Sequence, residues 1–183
     1  MGDSCRRISR IVNDLKDFVR TDSEHTYELV DLNQVASTTV RLTFSLVKKS
    51  TVHFRFDPAP SLPPIKGNFQ QLEQVIINLI VNACQALQKK SQGILLKTHY
   101  DEKNRCCVVE VSDQGEGIDP HLLPHITEPF FTTKRHKGGT GLGLSVSSRI
   151  AAEHGGKLVF SSKPQEGTTV RLVLPAVNEG KTP

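Results

Sequence analysis

An acidic residue at the end of an alternating apolar segment is the first candidate for chemistry. Counting back in steps of two from Asp113 gives Val111 and Val109, so its carboxylate shares the apolar face of a predicted strand. A carboxylate on a buried face needs a hydrogen-bond donor, and the exocyclic amine of an adenine would fit. Gly115 and Gly117 follow and lack side chains, so a flat ligand could approach the backbone there. The alternative is an ordinary Asp-Gly turn, whereas an EF-hand loop is excluded because the glycines occupy its ligand positions.

Amide side chains form the second candidate, on a segment with helical periodicity from Phe69 to Lys89. At 100° per residue, apolar residues flank both sides of a polar stripe made by Asn78, Asn82 and Gln85. We therefore expect these amides to be buried, where each must find a partner. Two interpretations remain open. The amides are bonded to neighbouring backbone in the core, or they form the wall of a ligand site with an oxygen for a hard cation such as Mg²⁺.

A glycine-rich segment with the sequence KGGTGLGLS covers Lys137–Ser145. Glycine-rich backbone that runs into a helix presents free N–H groups to an anion. A Rossmann turn is disfavoured because no strand is apparent before the segment, and a Walker A loop because no Gly-Lys-Ser/Thr follows. A cationic run, Lys134–Lys137, lies just upstream. Such a run is usually a solvated loop, but beside a phosphate-binding segment it could be a mobile lid over polyphosphate.

These candidates must be positioned by an alternation of predicted helices and strands. Asn68 can cap the central helix, and Thr140 can cap the last one. The periodicity predicts helices over residues 33–48, 69–89, 120–123 and 140–153, and strands over residues 51–56, 93–100, 105–112, 157–161 and 168–174. This mixture predicts an α/β fold of the two-layer sandwich type (α+β).

The first part of the chain carries a separate amphipathic pattern. Apolar residues recur at helical spacing over residues 6–20 and need a partner, either their own domain or, as we favour, a second helix in a hairpin or dimer. The polar segment that follows breaks this period. We therefore predict a helical segment over residues 1–22, a linker over 23–31, the main domain over 32–176 and a tail over 177–183.

Composition excludes several classes of protein. The 183 residues carry 23 Lys+Arg and 19 Asp+Glu, a net charge of +4 that suits an anionic ligand but is too weak to indicate a nucleic-acid partner. No apolar run approaches a membrane span and no signal peptide opens the chain, so we expect no direct membrane contact. The 4 cysteines form no CxxC pair, which favours a reduced, cytoplasmic protein.

Taken in order, these segments resemble the catalytic and ATP-binding domain of sensor histidine kinases, within the superfamily that includes gyrase, heat-shock chaperone and mismatch-repair ATPases. The matching segments are the N box at Gln71–Ala86, the G1 box at Asp113–Ile118, the F box at Glu128–Lys134, the G2 box at Gly138–Ser145 and a last glycine box at Glu166–Thr169. The resemblance covers about residues 31–175. It implies the Bergerat-type ATP-binding fold, a mixed sheet packed on three helices, preceded by one dimerisation-type helix.

The resemblance also implies a site for ATP and Mg²⁺. Asp113 would hold the adenine amine directly and through water, with Thr168 behind the base. Asn82 would ligate Mg²⁺, with Asn78 beside it. Lys134 would supply lid charge to the phosphates, so Asn82 and Lys134 are the implied catalytic residues.

Further ATP contacts are implied by the remaining boxes. Phe131 would pack at the lid hinge, and the glycines of the G2 box would wrap the triphosphate. Gln85 stands where many members of the family carry Lys or His, so this chain departs from the pattern there. The other implied ATP-binding residues are Gly115, Gly117, Ile118, Gly139, Thr140, Gly141, Leu142, Gly143 and Leu144.

Asn78 also bears on the type of reaction. In the hydrolysing members of this superfamily a Glu usually lies one turn before the Mg²⁺ asparagine and acts as the base for water. Asn78 occupies that place and cannot accept a proton, and Glu73 lies on another helix face. We therefore expect transfer of the γ-phosphoryl group to an external nucleophile. The serine kinases of the anti-sigma-factor type usually keep the Glu and fit less well. A nucleotide-gated interaction module and a clamp-type ATPase are the alternatives, and Asn78 argues against the ATPase.

None of the histidines has the expected surroundings of a phosphoacceptor, which should precede Glu or Asp on a helix with an apolar stripe. His25 lies in the predicted linker and is followed by Thr26. His121 and His125 are four apart, but Pro124 interrupts them, which disfavours a metal pair. The others are expected to be surface or strand residues: His53, His99, His136 and His154.

The resemblance therefore implies partners outside the chain. Residues 6–20 resemble the second helix of a dimerisation and histidine-phosphotransfer hairpin and could form a homodimer. The first helix, with the acceptor histidine, would precede Met1, so we expect a fragment of a longer protein that could be membrane-anchored. The implied partners are the histidine-bearing helix of the parent kinase and the receiver domain of a response regulator, in a two-component signal-transduction phosphorelay.

Overall fold

The computed structural model describes residues 26–133 and 139–177. A five-stranded sheet and three helices account for most of this part of the chain. In chain order the elements are β1 (Glu28–Val30), α1 (Leu32–Ser50), β2 (His53–Asp57), β3 (Ile65–Gly67), α2 (Phe69–Ala86), β4 (Gly93–Asp101), β5 (Cys106–Asp113), α3 (Gly143–Glu153), β6 (Lys157–Lys163) and β7 (Gly167–Pro175).

The large sheet has the strand order β2-β4-β5-β7-β6. The β2 and β4 strands are parallel and the other pairs are antiparallel, so the sheet is mixed. The prediction of a mixed sheet packed on three helices is therefore confirmed. Because β5 lies in the middle, its last residue, Asp113, pairs with Ile94 of β4 on one side and with Thr168 of β7 on the other.

The core lies between one face of the sheet and the helices. Along β5, Cys107, Val109 and Val111 are buried on the core face, as the period of two predicts, while Val108 is buried on the other face. Leu172 and Leu174 of β7 complete this apolar face. The helices contribute Val35, Leu72, Ile76, Leu79, Ile80 and Ile150 to the same cluster. The apolar face thus holds α2 and α3 against the strands whose ends carry the candidate site.

The helix starts are set by local hydrogen bonds. The Asn68 side chain accepts from the backbone N–H of Gln71 and caps α2, as its sequence position predicts. Asp31 caps α1 by accepting from the N–H of Asn33. The α2 helix ends at Ala86, three residues before the predicted end, because Leu87 adopts an extended conformation with ψ of 137°.

Two short strands were not predicted. The β1 strand lies within the predicted linker 23–31 and pairs antiparallel with β3, where Val30 and Ile65 are buried. The packed domain therefore begins before residue 32. Each of these strands has three residues, too few for an alternating pattern to be recognised. The predicted helix over residues 6–20, His25 and the predicted tail after Val177 lie outside the described residues.

His154 is neither a surface nor a strand residue, and that expectation was wrong. It follows the last turn of α3 and is 5% exposed. Its Nε2 accepts from the backbone N–H of Asn68 at 3.0 Å, and its Nδ1 lies 2.7 Å from the carbonyl oxygen of Ile150. Nδ1 therefore carries the proton, and the ring joins the end of α3 to the start of α2.

No helix in the described ranges is long and apolar enough to cross a lipid bilayer.

Candidate functional site

A cleft of about 400 Å³ lies between α2, the N-terminal end of α3 and the ends of β5 and β7. This volume falls within the range of small-molecule sites. Fourteen of the sequence-predicted residues line it: Asn78, Asn82, Gln85, Asp113, Gly117, Ile118, Phe131, Gly139, Thr140, Gly141, Leu142, Gly143, Leu144 and Thr168. Gly115 is not among the lining residues of the described part, and Lys134 lies outside that part. The fold therefore brings segments from five separate stretches of the sequence to one cavity.

Asp113 closes one end of the cleft, which we call the base end and define by Asp113, Ile118 and Thr168. The Asp113 carboxylate is half-buried, and its Oδ1 accepts from the backbone N–H of Gly115 at 2.8 Å. Thr168 lies directly opposite on β7 and is 8% exposed. Side chains of directly paired residues share one face of a sheet, so the carboxylate and the hydroxyl point to the same side. Two oxygen-bearing groups thus line the same end.

The glycines after Asp113 have a different role from the one that we expected. A Cβ at Gly115 would lie 2.5 Å from the carbonyl oxygen of Ala86, and one at Gly117 would meet the carbonyl oxygen of Lys163. Gly117 also has a φ of 69°, a backbone conformation that residues with a side chain rarely adopt. Protein backbone therefore occupies the space that their missing side chains leave. Close packing of the loop against protein backbone therefore explains why both positions are glycine. Of the two glycines, Gly117 lines the cleft and Gly115 does not.

The Ser162 hydroxyl on β6 connects the loop after Asp113 to β7 at the base end. The sequence did not predict this residue. The Ser162 Oγ accepts from the backbone N–H of Ile118 at 2.8 Å and donates to the carbonyl oxygen of Gly167 at 2.9 Å. It also lies 2.8 Å from the Oγ1 of Thr168. No motif signals this residue, because its partners come from a loop 44 residues away and from the next strand.

The amides of α2 are less buried than predicted. Asn78 and Asn82 are half-buried and Gln85 is exposed at the rim. Ile77 and Val81, which form the second apolar flank of the helix, line the cleft and do not enter the core. A helix that lies between the core and an apolar cavity is apolar on two sides. A fully buried helix has the same sequence pattern, so the sequence alone does not distinguish the two cases.

The two asparagines differ in their partners. The Asn78 Nδ2 donates to the Ser147 hydroxyl at 2.9 Å and so ties α2 to α3. Asn82 makes no side-chain hydrogen bond to any residue that the structure describes, although it lines the cleft. Its amide is thus available to a ligand.

The other end of the cleft, which we call the phosphate end, is formed by residues 139–144 at the start of α3. Thr140 was predicted to cap this helix, but α3 begins at Gly143 after Leu142, whose side chain makes no capping bond. Gly141 has a φ of 73°, which prevents the helix from starting earlier. The first backbone N–H groups of α3 therefore lack a side-chain cap, and uncapped N–H groups at a helix N-terminus favour an anion.

Contacts on both sides hold the phosphate end in place. A Cβ at Gly143 would lie 2.5 Å from the Asn78 Oδ1, so the start of α3 lies directly against α2. The N–H of Phe130 donates to the carbonyl oxygen of Gly141 at 3.0 Å. Phe131, the predicted hinge residue, lines the cleft, and its ring lies 6.0 Å from that of His125.

The described residues of the cleft could supply only some of the ligands of a divalent cation. Groups of three or more His, Cys, Asp and Glu side chains arranged to hold a metal ion are absent from the described residues. Mg²⁺ in phosphate-transfer sites usually takes one or two protein oxygens and completes its octahedron with phosphates and water. The amide of Asn82 provides one such hard oxygen, so the donor set fits Mg²⁺ bound together with a polyphosphate.

Carboxylates are scarce in the cleft. Asp113, at the end of β5, and Glu116, in the loop that follows, are the acidic residues that line it among the described residues. Glu73 is not among the lining residues there. The position one turn before Asn82 is filled by an amide that already bonds to Ser147. The described part of the cleft therefore offers no carboxylate base beside Asn82.

Thiol chemistry is equally disfavoured. Burial raises the pKa of the Cys107 thiol to about 11, and the neighbouring Cys106 adds to the effect. Burial also raises the pKa of Cys84 above its usual value. Because the thiolate is the reactive form, the raised pKa values disfavour reaction at these two cysteines.

Known proteins resemble this chain over most of its length. It is 43% identical over 173 residues to a putative sensor protein of Shewanella frigidimarina, covering 94% of the chain and 26% of that protein. It is 33% identical to the sensor protein FixL of Bradyrhizobium diazoefficiens and 32% identical to the sensor histidine kinase ZraS of Escherichia coli. These matches cover 94% and 100% of the chain, but only 34% and 38% of the relatives. The chain thus spans about a quarter to two fifths of the length of these three relatives.

Solved structures agree with the fold. The catalytic domain of histidine kinase ThkA superimposes with a TM-score of 0.71 at 27% identity, covering 82% of this chain and 95% of that one. Full-length ShkA in complex with AMPPNP gives a TM-score of 0.83 at 23% identity, with 96% and 37% covered, and supports the fold alone. Residues 67–178 match the family described as histidine kinase-, DNA gyrase B-, and HSP90-like ATPase. The resemblance inferred from the boxes is therefore confirmed, and the chain belongs to this ATPase family.

Proposed function

We propose that this chain is the ATP-binding catalytic domain of a two-component sensor histidine kinase. It binds ATP with Mg²⁺ in the cleft and delivers the γ-phosphoryl group to a histidine outside the chain. The observation that carries the proposal is a single cavity with a carboxylate at one end, Asp113, and the uncapped N-terminus of α3 at the other. The names of the relatives, which are sensor proteins and sensor histidine kinases, support the same conclusion.

At the base end, Asp113 accepts a hydrogen bond from the exocyclic amine of adenine. A carboxylate whose Oδ1 is already held by the Gly115 N–H is fixed in orientation before the base arrives. Apolar side chains of the cleft, including Ile118 and Val111, cover the faces of the ring.

At the phosphate end, the first backbone N–H groups of α3 bind the phosphates, with residues 139–143 wrapped around them. Asn82 would hold Mg²⁺ through its amide oxygen, and the ion would supply positive charge to the phosphates. Lys134 lies in the sequence between Phe131 and this loop and would add positive charge from the lid.

The acceptor is an external histidine because no carboxylate base for water stands one helical turn before Asn82 in the described part of the cleft. Asn78 stands at the place of that base, and its amide donates to Ser147. The incoming imidazole nitrogen uses its lone pair to form a bond to the γ-phosphorus, while the bond from that phosphorus to the β–γ bridging oxygen breaks. The electron pair leaves with ADP. Catalysis by the chain is then positioning and charge neutralisation.

The wider setting follows from the same proposal. Residues 6–20 would form the second helix of the dimerisation hairpin, whose first helix carries the acceptor histidine. The phosphoryl group would then pass to the receiver domain of a response regulator. The parent protein would act from the cytoplasm.

Labelled phosphate transfer tests the proposal. The chain is mixed with a histidine-phosphotransfer hairpin from a kinase that it resembles, such as FixL, and with ATP labelled at the γ-phosphate in the presence of Mg²⁺. We expect acid-labile label on the hairpin and none on the chain itself.

Two controls define the result. A hairpin with its histidine replaced by glutamine should receive no label, and Asp113→Asn should abolish transfer. Saturable binding of ATP without transfer to any hairpin of these relatives would contradict the proposal and favour a nucleotide-gated interaction module. Acid-labile phosphate on the chain itself would contradict the assignment of the acceptor to another segment.

A further inference from the structure

The hydrogen bonds of Ser162 assign the position of its single proton. Its oxygen has three partners within 2.9 Å: the N–H of Ile118, the carbonyl oxygen of Gly167 and the hydroxyl of Thr168. The Ile118 N–H can only donate and the Gly167 carbonyl can only accept. Ser162 must therefore donate its one proton to Gly167. All three contacts are hydrogen bonds only if Thr168 then donates its own hydroxyl proton to Ser162.

This arrangement determines what Thr168 can offer to the cleft. Its hydroxyl proton is directed at Ser162, so only the lone pairs of its Oγ1 remain for a ligand. No other hydrogen bond of this hydroxyl is made to the described residues. Thr168 lines the cleft and pairs across the sheet with Asp113, whose carboxylate also accepts a hydrogen bond.

We propose that Ser162 is a positioning residue that sets nucleobase selectivity by holding the Thr168 hydroxyl as an acceptor. This inference rests on the proposed function, since it concerns the base of the bound nucleotide. With Asp113 and Thr168 both accepting, the base end favours a purine with an amino group at position 6. A 6-oxo purine would place its oxygen against two acceptors, which costs binding free energy because neither can donate.

Ser162 also has a structural role, which the test must separate from selectivity. Its removal leaves the Ile118 N–H without its acceptor and loosens the loop after Asp113. That effect should weaken all purine nucleotides alike. The ratio of the dissociation constants of a 6-amino and a 6-oxo purine nucleotide is unaffected by this general weakening. A change in the direction of the Thr168 proton, by contrast, alters that ratio.

The experiment measures the dissociation constants of ATP and inosine triphosphate by calorimetry on the whole chain with Mg²⁺. We expect the wild type to prefer ATP and Ser162→Ala to reduce that preference about three- to tenfold, because the freed Thr168 hydroxyl can turn and donate to the 6-oxo group. Thr168→Val should reduce the preference too, and adding Ser162→Ala to it should change the ratio no further. Thr168→Ser keeps the hydroxyl and should keep the preference.

A matched control is available on the opposite face of the sheet. Ser112 of β5 and Thr169 of β7 form a similar hydroxyl pair at 2.8 Å, one position along from the Asp113–Thr168 pair, and neither lines the cleft. Ser112→Ala should leave the ratio unchanged. An unchanged ratio in Ser162→Ala, or a further change when Ser162→Ala is added to Thr168→Val, would overturn the inference while leaving ATP binding intact. Failure of the wild type to bind ATP at all would instead overturn the proposed function.

Discussion

The two ends of the cleft are built by different means. At the base end, side chains on paired strands are held by hydrogen bonds: Asp113 by the Gly115 N–H, and Thr168 by Ser162. At the phosphate end, the groups proposed to bind are backbone N–H groups at the start of α3, where no side chain caps the helix. Side-chain acceptors in fixed positions can select among bases, whereas a row of backbone donors attracts any phosphate.

The two ends therefore depend on the fold in different ways. The base end depends on the identity of a few side chains. The phosphate end depends on where the α3 backbone lies, which is set by the contact of Gly143 with Asn78 and by the bond from Asn78 to Ser147. Substitutions at the two ends should consequently give different patterns across adenosine, ADP and ATP.

The largest effect is expected for Asp113→Asn. The variant can keep the bond from the Gly115 N–H to its side-chain oxygen but places an amide donor where adenine also donates. Affinity for adenosine, ADP and ATP should fall alike by about 100-fold, since a hydrogen bond to a charged group is lost. Calorimetry or titration followed by NMR measures all three.

Asp57→Asn is the matched control for this variant, because Asp57 also ends a strand but does not line the cleft. It should bind all three ligands as the wild type does. Both variants should melt close to the wild type. A loss for ATP without a loss for adenosine would contradict the placement of the base at Asp113.

A smaller and more selective effect is expected for Asn82→Ala. Its amide makes no bond to the described residues, so its loss should not disturb the fold. ATP affinity in Mg²⁺ should fall about tenfold because one oxygen ligand of the cation is removed. With EDTA in place of Mg²⁺, variant and wild type should bind ATP equally. A deficit of the same size in EDTA would mean that Asn82 contacts the nucleotide and not the cation.

The smallest effect is expected for Gly143→Ala. The added Cβ would lie 2.5 Å from the Asn78 Oδ1, so Asn78 must move and give up its bond to Ser147. Affinity for ADP and ATP should fall about fivefold with or without Mg²⁺, as the loss of one neutral hydrogen bond implies, while adenosine is unaffected.

The same substitution in an Asn78→Ala background tests the cause. Without the Asn78 amide the new Cβ has no atom to meet there, so Gly143→Ala should cost no additional affinity. A full additional loss would show that the glycine matters for reasons other than its contact with α2.

Much of the fold could be predicted from periodicity and local signals. The buried alternation of Cys107, Val109 and Val111 and the cap at Asn68 needed only nearby residues. The strands β1 and β3 could not be found, since three residues carry too little pattern. The start of α3 was misplaced because Thr140 is a good cap by type, while Gly141 takes a left-handed conformation that only the surrounding loop imposes.

The site was predicted unevenly for the same reason. Motif spacing identified fourteen residues of the cleft in advance, including Asp113, Asn82 and Thr168. It misjudged Gly115, whose small size serves the packing against Ala86. It also missed Ser162 and Ser147, whose importance depends on partners far along the chain.

The sequence by itself determined which groups are available for chemistry: one inward acid, a stripe of amides, a glycine-rich turn into a helix, and no acid one turn before Asn82. These features follow from residue type and from the spacing of residues that are close in the sequence, so they can be recognised without knowing the fold. Only the tertiary structure decided which glycines face protein, which amide is already bonded, and in which direction the Thr168 hydroxyl donates. Hydrogen bonds and close contacts act over a few ångströms, so they depend on which distant segments the fold brings together.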